Sequence, residues 1–362
     1  MHRRQLLLAA GALAAAALPA RAAEADVGAI LAETGAPGLA GMVVDAKGVR
    51  RLVFAGVRRQ GAADLVTADD PWHLGSNGKA MTAAVYGRLV DQGKAAWGAD
   101  LKSLFPDIAV DPAFASQTIE QLLGHRSGIQ DGPLMRGGFL MRAHQDQRPL
   151  PVQRAELART ILAAPPTGPV GAFAYSNVGY ALAGAAIERI TGQSFEDAVT
   201  AQLYRPLSMN RAGFGAPLGP APWGHAGPVG ALRPVDPAGL SDNPPAMSPA
   251  GRMHMALTDY AAFLRVFLSE GQGWLKPDTV RRLTTSVPGE GQSYALGWGV
   301  STQAWSPAPV LAHEGSNTLW HALTIVAPAS GLAFVGVTNA GPDASRGAAR
   351  KLVQALRLAE GA

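Results

Sequence analysis

Residues 73–93 read HLGSNGKAMTAAVYGRLVDQG. The segment begins with loop composition, and from about Asn77 to Gly93 the apolar residues Met81, Val85, Leu89 and Val90 recur at helical spacing. That spacing predicts a buried, rigid helix. Lys79 stands three residues after Ser76 at the junction of loop and helix. On a helix, side chains at i and i+3 share a face, so Ser76 and Lys79 point the same way. A serine hydroxyl needs a neighbouring base to act as a nucleophile. A lysine near the positive helix end and poorly solvated is disfavoured as an ammonium, which lowers its pKa toward a base's working range. The helix start also leaves the Ser76 N–H unpaired, half of an oxyanion hole. By itself Ser-x-x-Lys is also what an ordinary capping serine leaves behind, so the pattern needs company.

Two further stretches supply it. FAYSNVGY, ending at Tyr180, places Tyr175, Ser176 and Asn177 in a loop just before a helix. A tyrosine near a lysine ammonium can become a phenolate or relay a proton. The Asn177 amide can donate to a substrate carbonyl while its oxygen holds the lysine. AHEGSNTLWHA carries His313 and Gly315 at the end of an expected strand, which puts the polar His313 side chain at a cleft edge as a candidate substrate-binding residue. A glycine there lets backbone approach a ligand closely, and the N–H of Ser316 is the natural second oxyanion donor. Taken singly, Tyr175 reads equally as a half-buried tyrosine before a capping serine, and His313 as a histidine ending a strand.

Working outward, a short helix is expected near Asp26–Glu33, then two strands in GLAGMVVDAKGVRRLVFAG with a turn at Ala46–Gly48. The middle is mostly helical: TIEQLLGH, PVQRAELARTILAA, VGYALAGAAIERITG, and SFEDAVTAQLY behind a capping Ser194. Residues 212–251 are rich in glycine and proline and read as long surface loops. Thr258 is expected to cap the helix DYAAFLRVFLSEG. Strands return in YALGWGVS, PVLAHEGS, HALTIVAP and LAFVGVTNA, and a helix near Ser345–Glu360 closes the chain. Strands at both ends around a helical middle predict an α/β (α+β) fold: an antiparallel sheet flanked by helices, with an all-helical lobe inserted at roughly 100–250. Residues 23–362 then form one domain whose sheet draws on both ends of the chain.

The 362-residue chain is 48% hydrophobic and 16% charged, and it contains no cysteine. A sizeable core is expected, and disulfides, thiolate zinc sites and a cysteine nucleophile are excluded. The first 22 residues have the form of a signal peptide: a basic start, an apolar run, and a small-residue ARA at Ala20–Ala22. Export to the periplasm or medium is expected, with Arg3–Arg4 compatible with either the general or the twin-arginine route. Loss of that segment leaves 28 basic against 27 acidic residues, a net charge of +1 in place of +4. No clustered basic face points to nucleic acid, and no second apolar run is long enough for a membrane anchor. The α/β-hydrolase elbow is absent, and neither GSNGKA nor HEGSNTLWH fits a phosphate loop or a zinc motif. His125 and His254 read as hydrogen-bonding residues of loop or core, and Trp298 and Trp320 as packing residues.

In order, Ser76-Asn77-Gly78-Lys79, Tyr175-Ser176-Asn177 and His313-Glu314-Gly315 resemble the serine β-lactamase and penicillin-binding-protein superfamily, in its class C-like branch of esterases and D-peptidases. The resemblance covers nearly the whole mature chain. LLGHRSGI from Leu122, SPAGRMHMALTDYAAFL from Ser248 and YALGWG from Tyr294 look like further stretches of the same pattern. It implies a serine hydrolase working through an acyl-enzyme without metal or organic cofactor, on a small-molecule ester, amide or β-lactam. Ser76 would be the nucleophile, Lys79 and Tyr175 the coupled base and acid, and Asn177 a partner of substrate and lysine. Ser76 and Ser316 would supply the oxyanion amides.

One departure bears on the substrate. The third motif of lactamases and cell-wall peptidases usually begins with lysine, and here it begins with His313. A histidine is mostly neutral near pH 7 and attracts a carboxylate less, which tilts the expectation toward an esterase. A β-lactamase or a D-peptidase remains open, as does a non-catalytic exported binding protein on the same fold.

Overall fold

The computed structural model describes residues 26–362; the expected signal peptide lies outside them. Six strands form an antiparallel sheet: β1 (Gly38–Asp45), β2 (Gly48–Gly56), β6 (Gly299–Ser301), β7 (Val310–Ser316), β8 (His321–Ala327) and β9 (Leu332–Thr338). Three shorter strands, β3 (Pro71–His73), β4 (Gly213–Phe214) and β5 (Met253–Ala256), form a second sheet in the order β3-β5-β4. The main sheet runs β2-β1-β9-β8-β7-β6, so the first and last strands of the chain are hydrogen-bonded neighbours, with Leu39 opposite Thr338.

β1 is buried along almost its whole length because helices cover both faces of the sheet. Side chains alternate between the faces. Leu39 and Val43 pack with Leu352, Val353 and Leu356 of the terminal helix, while Ala40, Met42 and Val44 join the main core. At Gly41 an added Cβ would sit 2.6 Å from Leu352, so only glycine lets the helix lie this close. The edge strand β2 carries exposed Arg50, in keeping with the use of charge to protect sheet edges.

The helices that matter for the cleft are α1 (Val27–Thr34), α2 (Gly78–Asp91), α3 (Ile119–Leu123), α4 (Leu150–Leu162), α5 (Asn177–Thr191), α6 (Leu257–Leu268) and α7 (Pro342–Ala359). α1 is capped by Asp26, and α3 by a capping box between Thr118 and Gln121. Ser194 caps Phe195–Val199 as expected, though the chain then loosens into a π-turn over Thr200–Tyr204. Arg154 of α4, fully buried, pairs with Glu188 of α5 and with Glu196, tying these helices together.

Several boundaries differ from expectation. Thr258 is not a cap: β5 runs straight into α6, whose N-cap position is Ala256 with no side-chain bond. YALGWGVS is a strand only from Gly299, because Gly297, at φ +91°, bends the backbone against α2, and a Cβ there would sit 2.5 Å from Ala80 Cα. The terminal helix starts at Pro342, a residue that suits the first turn. The helix Pro277–Thr284 and the second sheet were not anticipated. Within 212–251, regular structure is confined to two-residue strands, a 3₁₀ turn at Pro245–Met247 and the four-residue helix Ser248–Gly251.

Candidate active site

The nucleophile stretch is held from three sides. Strand β3 delivers it, and residues Gly75–Asn77 form a 3₁₀ turn before α2 begins at Gly78. Asn77, with no capping bond of its own, donates its amide to Leu74 O at 2.9 Å and to Ala322 O of β8 at 3.4 Å. Gly315 of β7 packs directly on the turn: an added Cβ would lie 2.0 Å from Leu74 O and 2.6 Å from Ser76 N. A Cβ on Gly75, which has φ +53°, would meet Ser316 N at 2.5 Å. The backbone amides of Ser76 and Ser316 are therefore neighbours, an arrangement that suits an oxyanion.

Lys79 is wholly buried. Its Nζ donates to Ser76 Oγ at 3.0 Å, Asn177 Oδ1 at 2.7 Å and Ala250 O at 2.6 Å. Burial lowers its pKa to about 7, against an opposing pull from the Asp131 charge. Geometry decides where the lone pair of the neutral amine goes. Asn177 Oδ1 and Ala250 O can only accept, so the two remaining N–H bonds serve them and the lone pair faces Ser76 Oγ, the one partner with a proton to give.

Tyr175 departs from the simplest expectation. Lys79 Nζ lies over the face of its ring, 4.7 Å from the centroid, so the lysine meets the π face of the tyrosine and Ser76 lies between the two in the same cleft. Tyr175 is 40% exposed; burial of its phenol raises its pKa, with the neighbouring Ser76 hydroxyl working in the opposite direction. Tyr175 thus keeps its proton near neutrality and suits a relay better than a standing phenolate.

Asn177 opens α5, and its Oδ1 holds Lys79 as expected. One of its amide N–H bonds is taken by Asp131 Oδ2 at 2.8 Å, leaving the other for a substrate. Asp131 also accepts from the backbone of Asn177 and Val178 and from Ser176 Oγ. This carboxylate fixes which way the Asn177 amide points. No motif marks it, because it lies 46 residues before its partner. The backbone oxygen of Ala250 is equally invisible in a sequence.

His313 does not line the cleft; it sits behind it, 7% exposed. Its Nε2 is bonded to the Tyr294 hydroxyl at 2.9 Å and its Nδ1 to Glu314 O at 2.7 Å. The carbonyl can only accept, so Nδ1 carries the proton and Nε2 accepts from Tyr294. Burial and the Lys79 charge lower its pKa to about 3, so the ring is neutral. Glu314 faces the opposite side of the sheet, toward His321 and Arg350 of α7, and puts no charge in the cleft. The other sequence expectations stand: His125 accepts from Ser176 N, His254 bonds to Gly215 O, and Trp298 and Trp320 are fully buried.

The cleft itself is a pocket of about 270 Å³ with Ser76, Tyr175, Asn177 and Ser316 in its wall. Leu140, Met247 and Ala250 give it an apolar side, and Asn243, Asn317 and Thr318 a neutral polar one; among the described residues no charged side chain lines it. Behind the wall, Asp242 accepts from His73 and Arg252. Burial pushes its carboxyl up, and its partners, His73 first, pull it down to about 2. Sequence reading singled out neither Asp242 nor His73.

Known proteins give the arrangement its context. The chain is 28% identical over 315 residues to penicillin-binding protein 4 of Amycolatopsis lactamdurans, covering 79% of this chain and 77% of that protein. Its backbone superposes on a D-amino acid amidase from Ochrobactrum anthropi with a TM-score of 0.74 at 18% identity, over 92% of this chain and 97% of the other. It matches EstCE1, a hydrolase with promiscuous acyltransferase activity, with a TM-score of 0.75 at 16% identity, over 91% and 97% of the two chains. At such identities the two structures attest to the fold alone. The Beta-lactamase family model matches residues 23–359, essentially the whole described chain, and the protein belongs to that family of serine hydrolases.

Proposed function

We propose that this protein hydrolyses neutral esters or amides of small molecules through an acyl-enzyme on Ser76, with ester cleavage the better reaction. The observation that carries this reading is the state of His313: both ring nitrogens are occupied by Tyr294 and Glu314, and the ring is uncharged. Where a lysine would greet the carboxylate of a β-lactam or a peptide terminus, this site offers neither a charge nor a free N–H. Among the described residues the pocket wall supplies no substitute cation.

The chemistry follows from the contacts. Neutral Lys79 takes the Ser76 proton as Oγ attacks the carbonyl carbon. The carbonyl electron pair moves onto oxygen, which the N–H groups of Ser76 and Ser316 receive. As the tetrahedral species collapses, the leaving group departs with a proton given by the Tyr175 hydroxyl, and the Lys79 ammonium, which carries the proton taken from Ser76 and lies over the tyrosine ring, restores it. Water then attacks the acyl carbonyl, giving up its proton along the same path, and Ser76 is released with the acid product. Leu140 and Met247 favour an apolar acyl group, and Asn243 can donate to a carbonyl further along it.

The test is side-by-side hydrolysis of an aryl ester, an uncharged anilide and a chromogenic cephalosporin by the protein and its Ser76→Ala variant. Ester turnover that disappears in the variant, with a feeble cephalosporin rate, is expected. Efficient cephalosporin turnover, or ester turnover surviving in Ser76→Ala, would overturn the proposal.

A further inference from the structure

We infer that Asp242 is a positioning residue that clamps the two backbone segments bearing the oxyanion amides, and that the glycine- and proline-rich loop around it serves this purpose. The inference rests on the reading of Ser76 as an acylated nucleophile. Asp242 Oδ2 accepts from His73 Nε2 at 2.9 Å and from Arg252 Nε at 3.3 Å. Its Oδ1 accepts from Asn317 Nδ2 at 2.9 Å and from the Asn243 N–H at 2.8 Å. His73 lies three residues before Ser76, and Asn317 directly follows Ser316, so one carboxylate reaches both halves of the oxyanion hole.

Each arm continues to the backbone. His73 Nδ1 accepts the Gly75 N–H at 3.2 Å. Because that N–H can only donate, Nε2 must carry the ring proton and give it to Asp242. The ring is fully buried and stacks on Trp320 at 5.4 Å, so it has no freedom to tilt. On the other side, Asn317 Oδ1 accepts from the N–H groups of Leu319 and Trp320, at 3.2 and 3.3 Å, shaping the turn that follows Ser316. A second Asn317 bond, to Ser241 O at 3.1 Å, fastens the loop to that turn. Oxyanion donors contribute only when they are held in place before charge develops, and this carboxylate is the common anchor for both.

All four partners of Asp242 are donors. An isosteric amide cannot accept at both ends, so Asp242→Asn must release one arm of the clamp while keeping the shape of the side chain. The experiment measures three things on the full chain for the parent, Asp242→Asn, Asn317→Ala and the double variant. These are the rate at which a fluorophosphonate labels Ser76, kcat and KM for an aryl ester, and the thermal midpoint. In the labelling step Ser76 Oγ gives its proton to Lys79 and bonds to phosphorus, fluoride leaves, and the phosphoryl oxygen occupies the oxyanion site.

Asp242→Asn is expected to label about 10- to 100-fold more slowly, with kcat reduced to a similar degree and KM within about twofold. Asn317→Ala should slow labelling in the same way, and the double variant should fall short of the product of the two effects, since both pass through the Asp242–Asn317 bond. A folded Asp242→Asn protein that labels at the parent rate overturns the inference. If Asp242→Asn does not fold, Asn317→Ala decides, and labelling at the parent rate there overturns it equally. A parent labelled at Ser76 that turns over no ester overturns the proposed hydrolysis alone, whereas a parent that is not labelled overturns both.

Discussion

Lys79 links stability and activity to the same proton. Its pKa is lowered from 10.5 to about 7 by burial, so between those values the unfolded chain holds a proton that the folded chain has lost. Stability therefore rises with pH across that window; the penalty is complete below pH 7 and gone above 10.5. At 1.36 kcal/mol per pKa unit the full penalty is about 5 kcal/mol, of which about 2 kcal/mol is relieved between pH 7 and 9. Lys79→Met keeps the length of the side chain and removes the titration. It also strips a donor from Asn177 Oδ1 and Ala250 O, at about 1–3 kcal/mol each, but that loss does not vary with pH. Guanidinium unfolding of both proteins at pH 7, 8 and 9 isolates the proton. The parent's stability relative to Lys79→Met should climb by about 2 kcal/mol over the range. The acid limb of the parent's kcat/KM profile should fall at about pH 7, because the base must be neutral to act. A stability difference that stays flat with pH would mean the lysine is not perturbed, and its assignment as the base would go with it.

Tyr175→Phe should lower kcat by about 10²- to 10⁴-fold on an alkyl ester and much less on a nitrophenyl ester, whose leaving group departs unprotonated; comparing the two substrates checks the relay role. Gly315→Ala should abolish turnover, because its Cβ would fall 2.0 Å from Leu74 O and 2.6 Å from Ser76 N; ester assays on the folded variant read this directly. Arg154→Met leaves Glu188 and Glu196 without their buried cation, so chemical denaturation should show a loss of about 3–5 kcal/mol.

What could be read without coordinates was set by distance along the chain. Ser76 and Lys79 share one helical turn, so spacing alone puts them on one face. Tyr175, Asn177 and Ser316 were found because ordered short motifs mark them. Asp131 and Asp242 escaped because each works by folding back on partners 46 and 169 residues away, and a lone aspartate in a loop carries no signature. The Thr258 cap failed for a local reason: the preceding strand enters the helix without a turn. The role of His313 was half legible. Its neutrality follows from its ordinary pKa, but the saturation of both nitrogens depends on Tyr294, which only the folded sheet brings to it.

The order of strands in the main sheet has a consequence for how the enzyme is made. β1 is completed by β9, and the Ser76 turn is completed by β7 and β8, which are synthesised some 240 residues later. Pairings this distant must wait for the end of the chain and make folding slow. A ribosome-bound or truncated chain therefore carries Ser76 and Lys79 without the strand that packs Gly315 and Ser316 against them. The Ser76 turn is not complete until the last strand has docked beside the first. Supplying residues after about 290 as a separate fragment would make assembly of the two pieces a switch for catalysis.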